Sequence, residues 1–192
     1  MHTGEMWQDY SLSGSLLKNG GYDSSLGNPD NHFNMLVGAV CIWFYRRTAS
    51  GKVEVLFQHR SKTVDRNADM WDVSAAGHMN YKETIPEAAI REIREEIGAE
   101  VTEHDLKYVF SVRSLDDKNL INHYLLCDWT GKECDFHFDD MEVSEVKWVA
   151  FSKFDDFIDK NVKNAVKNAT FARMLSKAWL EKVNENHKLR KH

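Results

Sequence analysis

The stretch Gly77–Gly98, which reads GHMNYKETIPEAAIREIREEIG, decides the fold and most of the chemistry that the sequence predicts. Thr84 and Glu87 form a capping box, the usual signature of a helix N-terminus, and Gly98 is a natural C-terminal stop. Between them, apolar residues recur at helical spacing and predict a buried stripe (Ala89, Ile90, Ile93 and Ile97). The stretch therefore predicts one amphipathic helix.

A second face of this predicted helix collects negative charge. Its carboxylates stand at positions i, i+3 and i+4, close to the negative end of the helix dipole (Glu92, Glu95 and Glu96). Arg91 and Arg94 offset part of the repulsion, whereas a bound divalent cation would offset much more. Carboxylate oxygens are the ligands that Mg²⁺ and Mn²⁺ prefer. The alternative is a solvated acidic helix with internal ion pairs, such as Glu87 with Arg91.

The spacing of the whole stretch resembles the Nudix box, G-x5-E-x7-R-E-U-x-E-E-x-G-U, where U is a bulky aliphatic residue. Eight positions fall in register (Gly77, Glu83, Arg91, Glu92, Ile93, Glu95, Glu96 and Gly98). Ala99 departs from the pattern at a position expected to pack rather than react. The resemblance implies an α/β/α sandwich with a mixed β-sheet and a hydrolase that cleaves a diphosphate bond. It also implies Mg²⁺ or Mn²⁺ as the cofactor.

The resemblance carries roles for individual residues. It implies that the Gly77 carbonyl, Glu92, Glu95 and Glu96 bind the metal ions. Arg91 is expected to orient carboxylates, through Glu95 or Glu83, and Glu83 to support the metal shell. Substrate contacts are expected from Arg60, His78 and Glu142. The general base stays open between a box glutamate, Glu142 and Glu145, and the last two also fit a solvated turn.

The flanks of the box resemble the Nudix subgroup related to isopentenyl-diphosphate isomerase. The matching segments are Gln58–Arg60 and Trp71–His78, the latter reading WDVSAAGH. Ala76 stands where those isomerases carry a catalytic cysteine, so the sequence favours a hydrolase. An isomerase-like enzyme and a non-catalytic Nudix sensor are the alternatives. His32 and His78 match isomerase histidines that help to hold a metal. The favoured interpretation is that His78 hydrogen-bonds locally or touches substrate and that His32 is a loop residue.

Weaker signals stay open. Cys134 and His137 form a C-x-x-H pattern without the second pair that a zinc site needs. Trp71, Phe110 and Trp148 could stack on a substrate base or pack in the core. The substrate class is equally open among nucleoside di- and triphosphates, nucleotide sugars, dinucleotides and prenyl diphosphates.

Length and composition limit the wider choices. The chain has 192 residues and a formal net charge of -5, which predicts one domain and no nucleic-acid polymer as partner. Three scattered cysteines and no apolar run long enough for a membrane helix predict a cytoplasmic protein. The expected partner is a small-molecule diphosphate, and a homodimer is one open alternative for the oligomeric state.

The pattern of elements predicts strands, a helix, further strands and further helices, which is typical of the α/β or α+β class. Residues 11–31 read as loop. The predicted strands are Met35–Tyr45, Val53–His59, Trp71–Ala76, Leu106–Arg113, His123–Trp129 and Val143–Val149. Helices are predicted at Lys153–Asp159 and from about Asn164 to His187. The domain organisation is expected to comprise an N-terminal extension (1–32), a Nudix domain (33–160) and a C-terminal helix packed on it (161–192).

Overall fold

The structure, a computed structural model, describes residues 6–11, 15–16, 22–23, 35–64, 67–113, 119–131, 135–138, 141–161 and 170–189. Within these ranges the strands are β1 (Met6–Trp7), β2 (Asp9–Ser11), β3 (Tyr22–Asp23), β4 (Met35–Arg47), β5 (Val53–Arg60), β6 (Trp71–Asp72), β7 (Ala75–His78), β8 (Leu106–Arg113), β9 (Leu120–Asp128) and β10 (Val143–Ala150). The helices are α1 (Ile85–Ile97), α2 (Phe154–Asn161) and α3 (Thr170–Leu189), with 3₁₀ turns at Glu103–Asp105 and Phe151–Lys153.

One mixed sheet organises the described part of the chain. Its strands follow the order β10-β5-β4-β9-β8, while β2 and β7 pair with β4 and β6 pairs with β5. The β4–β9 pair is parallel, from Val37 opposite Leu120 to Tyr45 opposite Asp128, and the other pairs are antiparallel. The predicted mixed sheet is therefore confirmed.

Alternation along β4 divides the core into two layers. Val40, Ile42 and Phe44 point to the face that α1 covers, together with Ile93 and Ile97 of that helix. Trp43 points to the opposite face, where it packs with residues of α2 and α3 such as Phe154, Ile158 and Leu180. Because strand side chains alternate with a period of two, a single long strand serves both layers. This arrangement is the expected α/β/α sandwich.

Two element predictions need correction. The predicted strand Trp71–Ala76 is two short strands, because the chain leaves β5 after Asp72 and joins β4 at Ala75. Ser74 makes the crossing: its hydroxyl donates to the Leu56 carbonyl at 2.7 Å and accepts from the Phe44 amide at 2.8 Å. This change of partner depends on distant strands, so the local pattern did not reveal it.

The predicted loop over residues 11–31 also contains paired backbone. Ser11 ends β2, which pairs with β4, and Tyr22–Asp23 forms β3, which pairs with β1. The composition of this region signals turns but carries no information about partners far along the chain. His32, Cys134 and the first six residues of the predicted helix Asn164–His187 lie outside the described residues. Among the described helices, none is both long enough and apolar enough to span a bilayer.

Candidate active site

Helix α1 is fixed at both ends by local hydrogen bonds. The Thr84 hydroxyl accepts from the Glu87 amide, and the Glu87 carboxylate accepts from the Thr84 amide at 2.8 Å, so the predicted capping box is confirmed. Gly98 closes the helix with φ of 64°, a left-handed conformation that suits glycine. The buried stripe of isoleucines sets the rotation of the helix against the sheet. Glu92 and Glu96 consequently face strand β7.

Arg91 is the centre of the polar network. Its Nε and Nη2 atoms bind the two oxygens of Glu83 at 2.9 and 3.0 Å. Its Nη1 atom donates to Glu92 Oε1 at 2.7 Å and to Glu95 Oε2 at 2.9 Å. Its Nη2 atom also donates to the His78 carbonyl at 2.7 Å. Such forked, charge-assisted contacts fix geometry more firmly than a single bond.

Gly77 lets the Glu92 carboxylate approach the backbone of β7. A Cβ atom placed on Gly77 would lie 2.2 Å from the Glu92 carboxylate carbon, a distance that real atoms do not adopt. The glycine of the box is therefore needed for space, not for an unusual backbone angle. Glu92 is 8% exposed, so this close approach places a nearly buried carboxylate against the strand.

Glu96 lies deeper, with 2% of its surface exposed. Its Oε2 atom accepts from the Ala76 amide at 2.8 Å and from Gln58 Nε2 at 3.2 Å. Among the residues that the structure describes, the cationic group near Glu96 is Arg60, whose Nη1 atom is 3.9 Å from Glu96 Oε1. Glu96 is therefore held by neutral donors and one distant guanidinium. That is little compensation for a buried negative charge.

The electrostatics of the two buried carboxylates follow from this burial. Loss of solvation raises the pKa of Glu92 to about 7, against the opposing effect of Arg91. Loss of solvation and the nearby Glu92 raise the pKa of Glu96 well above its usual range, against the Ala76 amide and Arg60. Glu142 acts in the same direction on both groups. At neutral pH the protein alone does not stabilise two charges here.

This donor set fits a divalent cation. The buried oxygens of Glu92 and Glu96 are hard ligands, and a cation would offset the loss of solvation and the repulsion that raise their pKa values. The half-exposed Glu95 and the Gly77 backbone are the further groups of the predicted set. Within the described ranges, no three His, Cys, Asp or Glu side chains converge as a ready-formed metal cluster. Arg91 already donates hydrogen bonds to Glu92 Oε1 and Glu95 Oε2, so a cation would have to approach these two carboxylates from another side.

The two candidate bases outside the helix have different positions. Glu142 Oε2 lies 3.9 Å from Arg60 Nη2, and Arg60 also faces Glu96, so Glu142 belongs to the same cluster. Glu145 is 63% exposed and lies 4.0 Å from His59 Nδ1. The structure therefore brings Arg60 and Glu142 to the box carboxylates, and leaves Glu145 beside His59.

The histidines have local partners. His78 stacks on Trp7, with ring centroids 3.9 Å apart and planes 6° apart, while its carbonyl binds Arg91. His137 lies over the end of α1, where its amide donates to the Ile97 carbonyl at 3.1 Å. Its ring lies so close to Gly98 that a Cβ there would clash at 2.3 Å.

The aromatic candidates pack against other aromatic rings. Trp71 meets Phe157 edge-on at 5.3 Å, and Phe110 stacks on Tyr124 at 4.6 Å. The Trp148 ring lies under the Arg46 guanidinium at 4.3 Å. Each ring also belongs to one of the two core layers. Packing accounts for all three contacts.

Three features of the site did not come from the sequence. Gln58 is fully buried and donates to Glu96, although it had signalled only the flanking resemblance. Cys41 of β4 lies directly opposite Ala76 of β7 in the strand register. Trp7 lies against His78 from the N-terminal extension. The signal for Gln58 was a polar residue within an apolar strand; the other two depend on pairing between distant strands.

The chain is similar to proteins of known sequence and known structure. A curated relative, Nudix hydrolase 3 of Arabidopsis thaliana, is 28% identical over 131 residues, which are 64% of this chain but 17% of that protein. The chain thus spans only a small part of that relative. A solved structure, DR0079 from Deinococcus radiodurans, superposes with a TM-score of 0.65 at 16% identity, covering 88% of this chain and 98% of the other.

A second solved structure is the NUDIX domain of Shewanella oneidensis NrtR complexed with ADP ribose. It superposes with a TM-score of 0.57 at 12% identity, over 82% of this chain and 96% of that one. At these identities both superpositions support the fold alone. The NUDIX domain family matches residues 35–170, which is well over half of the sequence. The chain therefore belongs to the NUDIX family.

Proposed function

We propose that the chain is a divalent-metal-dependent hydrolase that cleaves a diphosphate bond in a nucleoside diphosphate-linked or related small molecule. The observation that carries the proposal is the pair of buried carboxylates, Glu92 and Glu96, with raised pKa values. Among the described residues, Glu92 has one close cation, Arg91, and the cation near Glu96 is Arg60 at 3.9 Å. Mg²⁺ or Mn²⁺ would complete this site, held by Glu92, Glu95, Glu96 and the Gly77 carbonyl. A bound ion supplies charge neutralisation and lowers the pKa of an attacking water.

The side chains of this chain do the positioning. Arg91 holds Glu92 and Glu95 in place and is itself held by both oxygens of Glu83. Water attacks a phosphorus atom of the diphosphate, the bridging P–O bond breaks, and a phosphorylated product leaves. Most of the rate enhancement then comes from charge stabilisation and alignment. Among the candidate bases, Glu142 is favoured because it lies in the cluster, 3.9 Å from Arg60.

The test of the class is a screen of diphosphate compounds with Mg²⁺, with Mn²⁺ and with chelator. Nucleoside di- and triphosphates, nucleotide sugars, dinucleotides, prenyl diphosphates and ADP-ribose are the substrates to include. Phosphate release and product masses identify the bond that breaks. Metal-dependent cleavage supports the proposal. Tight binding without turnover by the folded protein would instead indicate a ligand sensor.

The residue test is Glu96→Gln. This substitution keeps the shape of the side chain and removes the charge that would face a metal ion, so we expect turnover to fall by at least about 10²-fold. Burial of an uncharged amide should leave the melting temperature of the metal-free protein equal or higher. Glu100→Gln is the matched control, because Glu100 is exposed and pairs with Arg94 at the same helix end. Near-normal activity of Glu96→Gln would contradict the assignment.

A further inference from the structure

Residues 6–8 lie outside the part of the chain that the family matches, residues 35–170. They nevertheless contact the loop that leads into α1. We call residues 78–83 the entry loop: it begins at His78, the last residue of β7, and ends before the helix cap at Thr84. The backbone N–H of Gln8 donates to the Met79 carbonyl at 2.8 Å, and the backbone N–H of Tyr81 donates to the Met6 carbonyl at 2.7 Å. The entry loop is therefore paired with residues far away in the sequence.

The Gln8 side chain adds a second attachment. Gln8 is 3% exposed, and its Oε1 atom accepts from the Lys82 amide at 2.9 Å. Lys82 has φ of 69°, in the left-handed region that side-chain-bearing residues rarely adopt. Such a residue persists only where its surroundings hold it. Gln8 therefore stabilises an unfavourable backbone conformation immediately before Glu83.

Trp7 reaches the same loop through its ring. It stacks on His78 at 3.9 Å, and the His78 carbonyl accepts from Arg91 Nη2 at 2.7 Å. At the other end of the loop, the Glu83 carboxylate accepts from the backbone N–H of Asn80 at 2.7 Å. It also accepts from both Nε and Nη2 of Arg91. Both ends of the entry loop thus bind the same guanidinium.

From these contacts we infer that Trp7 and Gln8 are positioning residues of the active site, which hold the entry loop so that His78 and Glu83 fix Arg91. Arg91 in turn fixes the Glu92 and Glu95 carboxylates. The kinetic consequence rests on the proposed hydrolase activity, whereas the structural consequence for Arg91 does not. A displacement of about 1 Å at such a site can cost roughly 10²-fold in rate.

The kinetic experiment compares three variants with the unmodified chain. Trp7→Leu keeps apolar bulk but removes the stack, and Trp7→Phe keeps a stacking ring. Met6→Ala is the matched control, because Met6 is 43% exposed and its hydrogen bond to the entry loop comes from the backbone carbonyl, which the substitution keeps. We expect Trp7→Leu to lower kcat about tenfold or more with KM within about twofold. Trp7→Phe and Met6→Ala should stay within about twofold of the unmodified chain in both parameters.

An activity-free measurement accompanies the kinetics. The Arg91 Nε–H signal in ¹H–¹⁵N spectra, assigned through Arg91→Lys, reports the Glu83 contact directly. We expect this signal to shift or broaden in Trp7→Leu and to stay unchanged in Trp7→Phe and Met6→Ala. Gln8→Met, which removes the acceptor for Lys82, should move the same signal and provides a second variant if Trp7→Leu fails to fold.

The outcomes separate the two proposals. If the unmodified chain cleaves no diphosphate but the Arg91 signal moves as expected, the proposed hydrolase fails and the positioning role stands. If the chain is active and neither kcat nor the signal responds to Trp7→Leu or Gln8→Met, the positioning role is wrong. A lower melting temperature with unchanged kcat and an unchanged Arg91 signal would likewise show that Trp7 only stabilises the fold.

Discussion

At the scale of single residues, the site depends on carboxylates that the fold removes from water. Glu92 and Glu96 are almost completely buried. Among the described residues, Arg91 is in contact with Glu92, whereas the cation near Glu96, Arg60, is 3.9 Å away. A buried charge whose nearest cation is as distant as the one at Glu96 normally lowers stability. Under the proposed function a bound cation would supply the missing positive charge, so we expect stability and metal binding to oppose one another at this position.

The pKa of Glu92 predicts how stability depends on pH. Burial raises this pKa to about 7 in the folded protein, while an unfolded glutamate titrates near about 4.3. The folded state therefore binds the proton more tightly. The resulting stabilisation is full below about pH 4 and is lost as the pH rises through about 7. Its size is on the order of 3 kcal/mol.

The measurement is denaturant unfolding in chelator between pH 5 and pH 8. We expect the unmodified chain to lose free energy of unfolding across this range more steeply than Glu92→Gln, which cannot ionise at that position. Glu100→Gln provides the comparison at an exposed site. Parallel pH profiles for Glu92→Gln and the unmodified chain would show that Glu92 titrates near its ordinary value.

Gly77 supplies a second prediction at this scale. A Cβ atom on Gly77 would lie 2.2 Å from the Glu92 carboxylate, which is the far end of a flexible side chain and can rotate away. Gly77→Ala should therefore lower kcat by about 10²-fold while changing the melting temperature little. Gly131→Ala should do the reverse, because its Cβ would meet the ring of the buried Trp129 at 2.3 Å. Equal losses of stability in the two variants would contradict this separation.

At the scale of elements, the sequence predicted what local signals encode. The cap at Thr84, the isoleucine stripe and the stop at Gly98 all act within one helix, and α1 was predicted correctly. The parallel pairing of β4 with β9 has no local signal, because it joins segments that are about eighty residues apart. The change of strand partner at Ser74 was missed for the same reason.

The candidate site likewise contains residues that local spacing groups and residues that only strand pairing brings together. Glu92, Glu95 and Glu96 share one helix face, so their spacing alone groups them. Arg60 ends β5 and Glu142 precedes β10, and they meet only because these two strands pair, with Arg60 opposite Val143. The family resemblance suggested both residues, but no spacing rule could have brought them together.

Strand pairing also bears on isomerase activity. The sequence places alanine at position 76, where the related isomerases carry cysteine, but the structure sets Cys41 directly opposite Ala76. Burial, together with the nearby Asp72, raises the pKa of the Cys41 thiol to about 12, so it stays a neutral thiol at physiological pH. A neutral thiol is a poor base. We therefore expect no isomerisation of isopentenyl diphosphate.

The assay is incubation of isopentenyl diphosphate with Mg²⁺ in deuterated water, followed by mass spectrometry of the diphosphate pool. Cys41→Ala is the informative variant, because Cys41 is the thiol that the register places beside Ala76. Formation of deuterated dimethylallyl diphosphate at enzymatic rates would overturn the prediction. Its loss in Cys41→Ala would then assign the reaction to this thiol.

At the scale of the whole molecule, the N-terminal extension and the sheet are one packed structure in the described residues. Strand β2 pairs with β4, and Trp43 of β4 donates to Ser176 of α3 at 3.1 Å. A boundary at residue 32 would therefore separate β2 from its partner. We propose that the extension and the C-terminal helix both fold together with the NUDIX domain as parts of one unit.

Metal binding provides the prediction that involves the entire fold. A ligand that binds only the folded state stabilises it by about 2.7 kcal/mol at one hundred times its dissociation constant. For a chain of this size, that corresponds to a rise in melting temperature of roughly 5 to 10 °C. We expect Mg²⁺ or Mn²⁺ to produce this rise, and NaCl of equal ionic strength to produce much less, because screening alone acts weakly on buried charges.

The deciding variant replaces Glu92, Glu95 and Glu96 together with glutamine. It removes the charges that attract the cation, so the metal-induced rise should disappear. It also removes the repulsion between two buried carboxylates, so the metal-free melting temperature should equal or exceed that of the unmodified chain. If the triple variant responded to Mg²⁺ as the unmodified chain does, the ions would bind elsewhere. If it unfolded without metal, the carboxylates would stabilise the fold through Arg91 more than their burial destabilises it.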